Sequence, residues 1–117
     1  MIDSTSASIS ALTAFQTKLD TTSNNIANVL TNGYKKDRVI LQEGESGGVK
    51  AIVDHVDTQN MPGEAVASNK NLENELPNVD LAEEMTNLMI TQKAYNANLK
   101  GLKVHDEMLG AILDFLA

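Results

Sequence analysis

The stretch from Leu81 to Leu116 contains no proline, and along it Leu81, Met85, Leu88, Gln92, Tyr95, Leu99, Leu102, Asp106, Leu109, Leu113 and Leu116 recur at alternating steps of four and three. Nine of these eleven positions are apolar or Tyr. That spacing places them along one face of an α-helix, and a stripe sustained over about five heptads is a coiled-coil seam. At about 1.5 Å per residue the helix reaches roughly 55 Å, which a compact domain of this size does not house. Beyond Val104, a second row of Met108, Ile112 and Phe115 lies beside Leu109, Leu113 and Leu116. One partner helix cannot cover both rows, and surplus apolar surface of this kind is normally an interaction site. The start of the helix is marked by Asp80, an N-cap residue type, with Glu83 three positions on and the acidic charges suited to the positive end of the helix dipole.

A partner for the seam is present at the other end of the chain. Leu12, Phe15, Leu19, Ile26 and Val29, with Thr22 in the one polar slot, fall at helical spacing and predict a helix over residues 4–31 with a single apolar face. Its opposite face is Ser, Thr, Gln, Asn and Ala. Asn32-Gly33 supplies the stop, since glycine just past a helix end adopts the left-handed conformation that satisfies the last carbonyls. From Asp37 the period changes: DRVILQE, the turn-rich EGESGG and GVKAIVDHV read as a β-hairpin. Residues 57–78 hold both prolines in a polar tract and read as connecting loop. The expected architecture is mainly α: residues 1–36 and 78–117 form two long terminal helices in a coiled-coil pair, and residues 37–77 form a short hairpin and loop between them.

Composition narrows the function. Aromatics make up 3% of the 117 residues and Trp is absent, so packing rests on Leu, Ile, Val, Met and Ala, as suits helix-on-helix seams. The net charge is −7, with residues 1–36 carrying three Lys against two Asp and residues 37–117 six bases against fourteen acids. That balance argues against a nucleic-acid partner. With no cysteine, disulfides and thiolate metal sites are excluded. No run of 18 apolar residues exists, so no bilayer-spanning helix is expected. The opening MIDSTSASIS has no basic region followed by an apolar one, which argues against a cleaved secretory signal.

No constellation of catalytic residues emerges, so the chain does not read as an enzyme, and no cofactor is implied. His55 lies near Asp54 and Asp57, and His105 beside Asp106 and Glu107, but neither spacing matches a metal-ligand pattern on a helix, and surface placement is the simpler reading. Lys35, Lys36 and Arg38 form a small basic spot, better matched to acidic residues of an adjacent protein than to nucleic acid. The concentration of amides in SNNIAN, with Asn24, Asn25 and Asn28, reads either as a frayed helix end or as a polar face for helix contacts.

SNNIANVLTNGYKKDRV resembles the N-terminal signature of the flagellar axial proteins (rod, hook and hook-associated proteins), in which an N-N-I-A-N helix core runs into a T-x-G-[FY]-K-[KR] turn. PNVDLAEEMTNLMITQKAYNANLKGLKVHDEMLGAILDF is similar to the matching C-terminal signature, and the two segments stand in the right order at opposite ends. The resemblance implies a structural subunit of the flagellar basal-body rod, most like a small rod-type member because residues 37–77 are short for the large outer domains of hook proteins. It implies a hollow axial tube built from paired terminal helices, copies of the chain and other rod and hook proteins as partners, export through the flagellar type III apparatus without a cleaved signal, and a periplasmic rod location without membrane insertion.

On that reading the subunit-interaction residues are Leu12, Phe15, Leu19, Asn24, Asn25, Ile26, Asn28, Gly33 and Tyr34 at the N-terminal end. At the C-terminal end they are Leu81, Met85, Leu88, Tyr95, Leu99, Leu102, Met108, Leu109, Ile112, Leu113, Phe115 and Leu116. Ser23, Asn24, Asn25 and Asn28 would bond across helices, and Tyr34 would pack where Gly33 turns the chain out of the helix layer. Periodicity alone favours an ordinary intramolecular core or a soluble homodimeric coiled coil over tube assembly, and the alternative function is a soluble coiled-coil adaptor or chaperone-like binding module. Membrane-surface binding is disfavoured by Asp106, Glu107 and Asp114 near the C-terminal end.

Overall fold

The computed structural model describes residues 2–58 and 76–117. Helix α1 spans Ile2–Ala27, strands β1 and β2 span Asp37–Glu43 and Val49–His55, and helix α2 spans Leu81–Leu116. Two terminal helices joined by a hairpin is the architecture the spacing predicts. The connecting loop expected over residues 57–78 lies largely outside the described residues.

Helix α1 ends at Ala27, four residues short of the expected stop, because its last turn tightens. Asn28 N–H is shared between the carbonyls of Asn24 and Asn25, Val29 N–H bonds Ile26 O, and Asn28 Nδ2 donates back to Asn24 O at 2.9 Å. Asparagine competes with the backbone in this way and favours helix ends. Gly33 follows at φ 75°, the left-handed conformation anticipated for it. At the start of α2, Asp80 accepts from the N–H groups of Ala82 and Glu83 at 3.0 and 3.3 Å, and the Glu83 carboxylate lies 3.6 Å from Lys36 Nζ.

The two strands pair antiparallel, with Val39 opposite Val53 and Ile40 opposite Ile52. The ladder extends through Val56 N–H to Lys36 O and closes at Gly44 N–H to Gly48 O. Both ends of the hairpin are pinned to α1. At the base, the Asn25 amide bonds both the N–H and the C=O of Asp37; at the tip, Ser10 Oγ accepts from Val49 N–H at 3.0 Å and itself donates to Ala7 O. Gly48, at φ 86°, makes the close approach possible, for a Cβ there would collide with Ser10 Oγ.

The helices run antiparallel. Asn98 Nδ2 donates to Ser8 O near the start of α1, and Asn25 near its end reaches Glu84 near the start of α2. The hairpin packs on α1, and neither strand approaches α2. Among the described residues the buried ones are Ala14, Pro77 and four polar residues, Thr22, Asn25, Glu84 and Thr91. The interior is therefore thin and polar, while much of the large apolar content is at the surface.

Candidate assembly surface

On α2, Glu84, Leu88, Thr91, Tyr95, Asn98, Leu102, His105 and Leu109 are buried or half-buried. Their steps of four and three define the face that meets α1. Of the row read from the sequence, Leu88, Tyr95, Leu102 and Leu109 belong to this face. Leu81, Met85, Gln92, Leu99, Asp106, Leu113 and Leu116 are instead exposed. At 100° per residue the observed seam is turned by about 50° from the most apolar row. The cause lies on α1, which presents an amide at Asn25 and, at Ser8, a backbone carbonyl within reach of a second donor. These give Glu84 and Asn98 the partners without which burial would be costly. The α1 side of the seam follows the expected pattern, with Leu12, Phe15, Leu19 and Ile26 half-buried.

Asn25 organises the junction of all three elements. Only 1% exposed, it uses every hydrogen-bonding valence of its amide. Nδ2 donates to Asp37 O at 2.7 Å and to Glu84 Oε2 at 3.2 Å, and Oδ1 accepts from Tyr34 OH at 2.9 Å and from Asp37 N–H at 3.1 Å. The Asn25 amide thus bonds across helices within the chain, to Glu84 of α2. Asn28 is also occupied locally, its Oδ1 accepting from Thr31 Oγ1, whereas Ser23 and Asn24 have exposed side chains. Burial is the main cause that raises the pKa of Tyr34 above its ordinary value, with the carboxylates of Asp37 and Glu84 adding to it.

Asn78 is a second clamp, which the sequence reading left out. Its Oδ1 accepts from Lys36 N–H at 2.7 Å and its Nδ2 donates to Val56 O at 2.8 Å, tying the base of the hairpin to the entry of α2. The basic spot is likewise spent within the chain: Lys35 Nζ donates to Thr58 O, Lys36 faces Glu83, and Arg38 Nη2 lies 2.6 Å from Asp54. His55 Nδ1 is 2.7 Å from Asp37 Oδ1, and His105 is half-buried on the α2 face that meets α1. Glu84, Thr91 and Asn98, also absent from the sequence reading, were detectable in principle as polar residues seven apart that flank the leucine row.

The outer surface of α2 carries many exposed apolar side chains. Met85, Met89, Ile90, Leu99, Val104 and Met108 are all about half-exposed or more. Every residue from Gly110 to Ala117 is exposed, with Leu113 at 67%, Leu116 at 75% and Phe115 at 91%. A groove of about 710 Å³ between the helices is lined by Thr5, Leu99, Leu102, His105 and Leu109 among others. On α1 the exposed strip is of another kind, with Ser6, Thr13, Gln16, Asp20, Ser23 and Asn24 alongside Ile9. No helix among the described residues is long and apolar enough to cross a membrane.

A slender pair of helices with polar contacts inside and apolar rows outside exposes surface of the kind that marks interaction sites. Two family models match the chain: the flagella basal body rod protein family over residues 6–35 and the flagellar basal body rod FlgEFG protein C-terminal family over residues 73–115. The first covers most of α1 and the Gly33 turn, the second nearly all of α2. The chain belongs to the flagellar basal-body rod and hook proteins, a structural family of the flagellum. No curated protein sequence matches it closely enough to count as an individual relative.

Proposed function

We propose that this protein is a structural subunit of the bacterial flagellar rod, polymerising through its paired terminal helices into the wall of a hollow axial tube. The observation that carries this reading is the bare apolar end of α2. Ile112, Leu113, Phe115 and Leu116 stand exposed together, as expected of surface that is covered only on assembly. Repeated head-to-tail contacts that do not close on themselves propagate as a helix of subunits, and a tube is one such product. In this scheme Leu12, Phe15, Leu19, Ile26, Leu88, Tyr95, Leu102 and Leu109 hold the subunit's own helix pair. Leu81, Met85, Leu99, Met108, Ile112, Leu113, Phe115 and Leu116 meet neighbours, with Asn24 and Ser23 as polar contacts beside them. Gly33 and Tyr34 direct the chain out of the helix layer.

The partners are copies of this chain and other rod or hook proteins. The proposed route is the flagellar type III export apparatus without a cleaved signal, and the proposed site is the periplasmic rod. The test is deletion of residues 108–117 in a motile host. Loss of the protein from isolated basal bodies, with secretion into the medium retained, is the expected result. Incorporation of the truncated protein at the normal level would overturn the assembly role given to this end.

A further inference from the structure

The buried contact between Asn25 and Glu84 contributes little to the apolar core, yet it joins residues 59 positions apart in sequence. Glu84 is 5% exposed and Asn25 1%. A buried carboxyl adds doubtful net stability, because desolvating it offsets most of what its partner returns. Its effect on register is larger, since a shifted register buries the carboxyl away from the Asn25 amide. The rest of the seam discriminates poorly. Leu88, Tyr95, Leu102 and Leu109 on α2, and Leu12, Phe15 and Leu19 on α1, repeat at similar spacing, so a slip by one heptad still meets an apolar row. The Asn98 bond goes to the backbone carbonyl of Ser8, and every residue offers such an acceptor. Thr91 Oγ1 has no partner among the described residues and so selects nothing.

We infer that the Asn25–Glu84 contact is the register determinant of this protein's helix pair: it fixes the heptad at which α2 lies against α1. The competing arrangement is a one-heptad slip of α2 along α1, which the repeated leucines leave open. Asn25 couples this choice to the hairpin, because the amide that satisfies Glu84 also holds both backbone groups of Asp37. A mispaired α2 removes one of the four bonds that set the direction in which the hairpin leaves the helices.

Specificity and stability separate in Glu84→Met. This change removes the buried carboxyl and keeps an unbranched apolar side chain of similar length. Its melting temperature is expected to stay within about 5 °C of the parent or to rise. Fidelity is read in the full-length chain, which has no native cysteine, using Thr5→Cys and Lys103→Cys reporters beside the same groove and a short bis-maleimide. In dilute solution the parent chain carrying both reporters gives one intrachain product. Chains carrying one reporter each give no mixed product. Glu84→Met should lose at least half of the intrachain product as α2 slips out of register.

Asn25→Asp, which faces Glu84 with a second acceptor, should lose the intrachain product as well, and Asn25→Asp/Glu84→Gln should recover part of it. Unchanged cross-linking in Glu84→Met overturns the inference, as does a melting temperature that falls as far as that of Asn25→Ala, which would mark the contact as structural only. These readouts concern the pairing of single chains, so either result stands apart from whether the protein enters the rod.

Discussion

The two ends of α2 are built on opposite rules. At its start, Glu84 is buried, the polar clamps Asn25 and Asn78 fill the space around the turn, and Pro77 is the buried apolar residue. At its finish, four large apolar side chains lie open and no polar lock is present among the described residues. The polar end makes bonds of defined length and direction and so fixes geometry. The apolar end makes none and leaves a non-directional attraction unspent. Directional polar contacts and exposed apolar surface are thus held in different places along one helix.

The largest test of this contrast is Asn25→Ala. It leaves Tyr34 OH, both Asp37 backbone groups and Glu84 short of a partner, and should cost about 3 kcal/mol or more in urea unfolding followed by circular dichroism. Tyr34→Phe removes one of those bonds and should cost about 1 kcal/mol at neutral pH. It also sharpens the pH behaviour. The Tyr34 hydroxyl has a raised pKa in the folded chain, so its contribution is fully present below the ordinary tyrosine value of about 10 and is lost as pH climbs through the higher folded value. The parent should therefore lose stability above pH ~10 more steeply than Tyr34→Phe, and equal slopes would remove Tyr34 from the lock.

Smaller effects are expected further from the lock. Asp80→Ala deletes the cap that accepts from Ala82 and Glu83 and should cost about 1 kcal/mol. Thr91→Val should have the opposite sign and stabilise by up to about 1 kcal/mol, because it removes a buried hydroxyl with no partner. At the far end, Phe115→Glu with Leu116→Glu should change unfolding free energy by less than about 0.5 kcal/mol while abolishing sedimentable polymer. If that pair of substitutions destabilises the single chain by several kcal/mol, the two ends of α2 do not differ as argued.

Much of this was legible before any coordinates. The 3/4 spacing, the change of period at Asp37, the cap at Asp80 and the left-handed Gly33 are local features, and each is settled by residues within a turn or two of itself. The site was legible only in part. Leu88, Tyr95, Leu102 and Leu109 face α1 as read, but Met85, Leu99 and Leu113 were assigned to the same seam because a sequence reading selects the most apolar row. Asn25 stands out in the sequence as an amide in a helix that can bond across helices, but the sequence does not name its partners. Its partners Tyr34 and Asp37 follow closely in the chain, but Glu84 does not.

What the chain determines by itself is therefore the inventory: a helix, a hairpin, a longer helix and their boundaries, all set by interactions between residues near in sequence. What tertiary structure decides is rotation. Turning α2 by about 50° around its own axis changes no local bond. The choice falls to contacts across the fold, where the Asn25 amide and the Ser8 carbonyl accommodate Glu84 and Asn98 and leave the outer apolar rows exposed. A helix carries apolar residues on several flanks at no local cost, and only a partner with directional bonds of its own determines which flank turns inward.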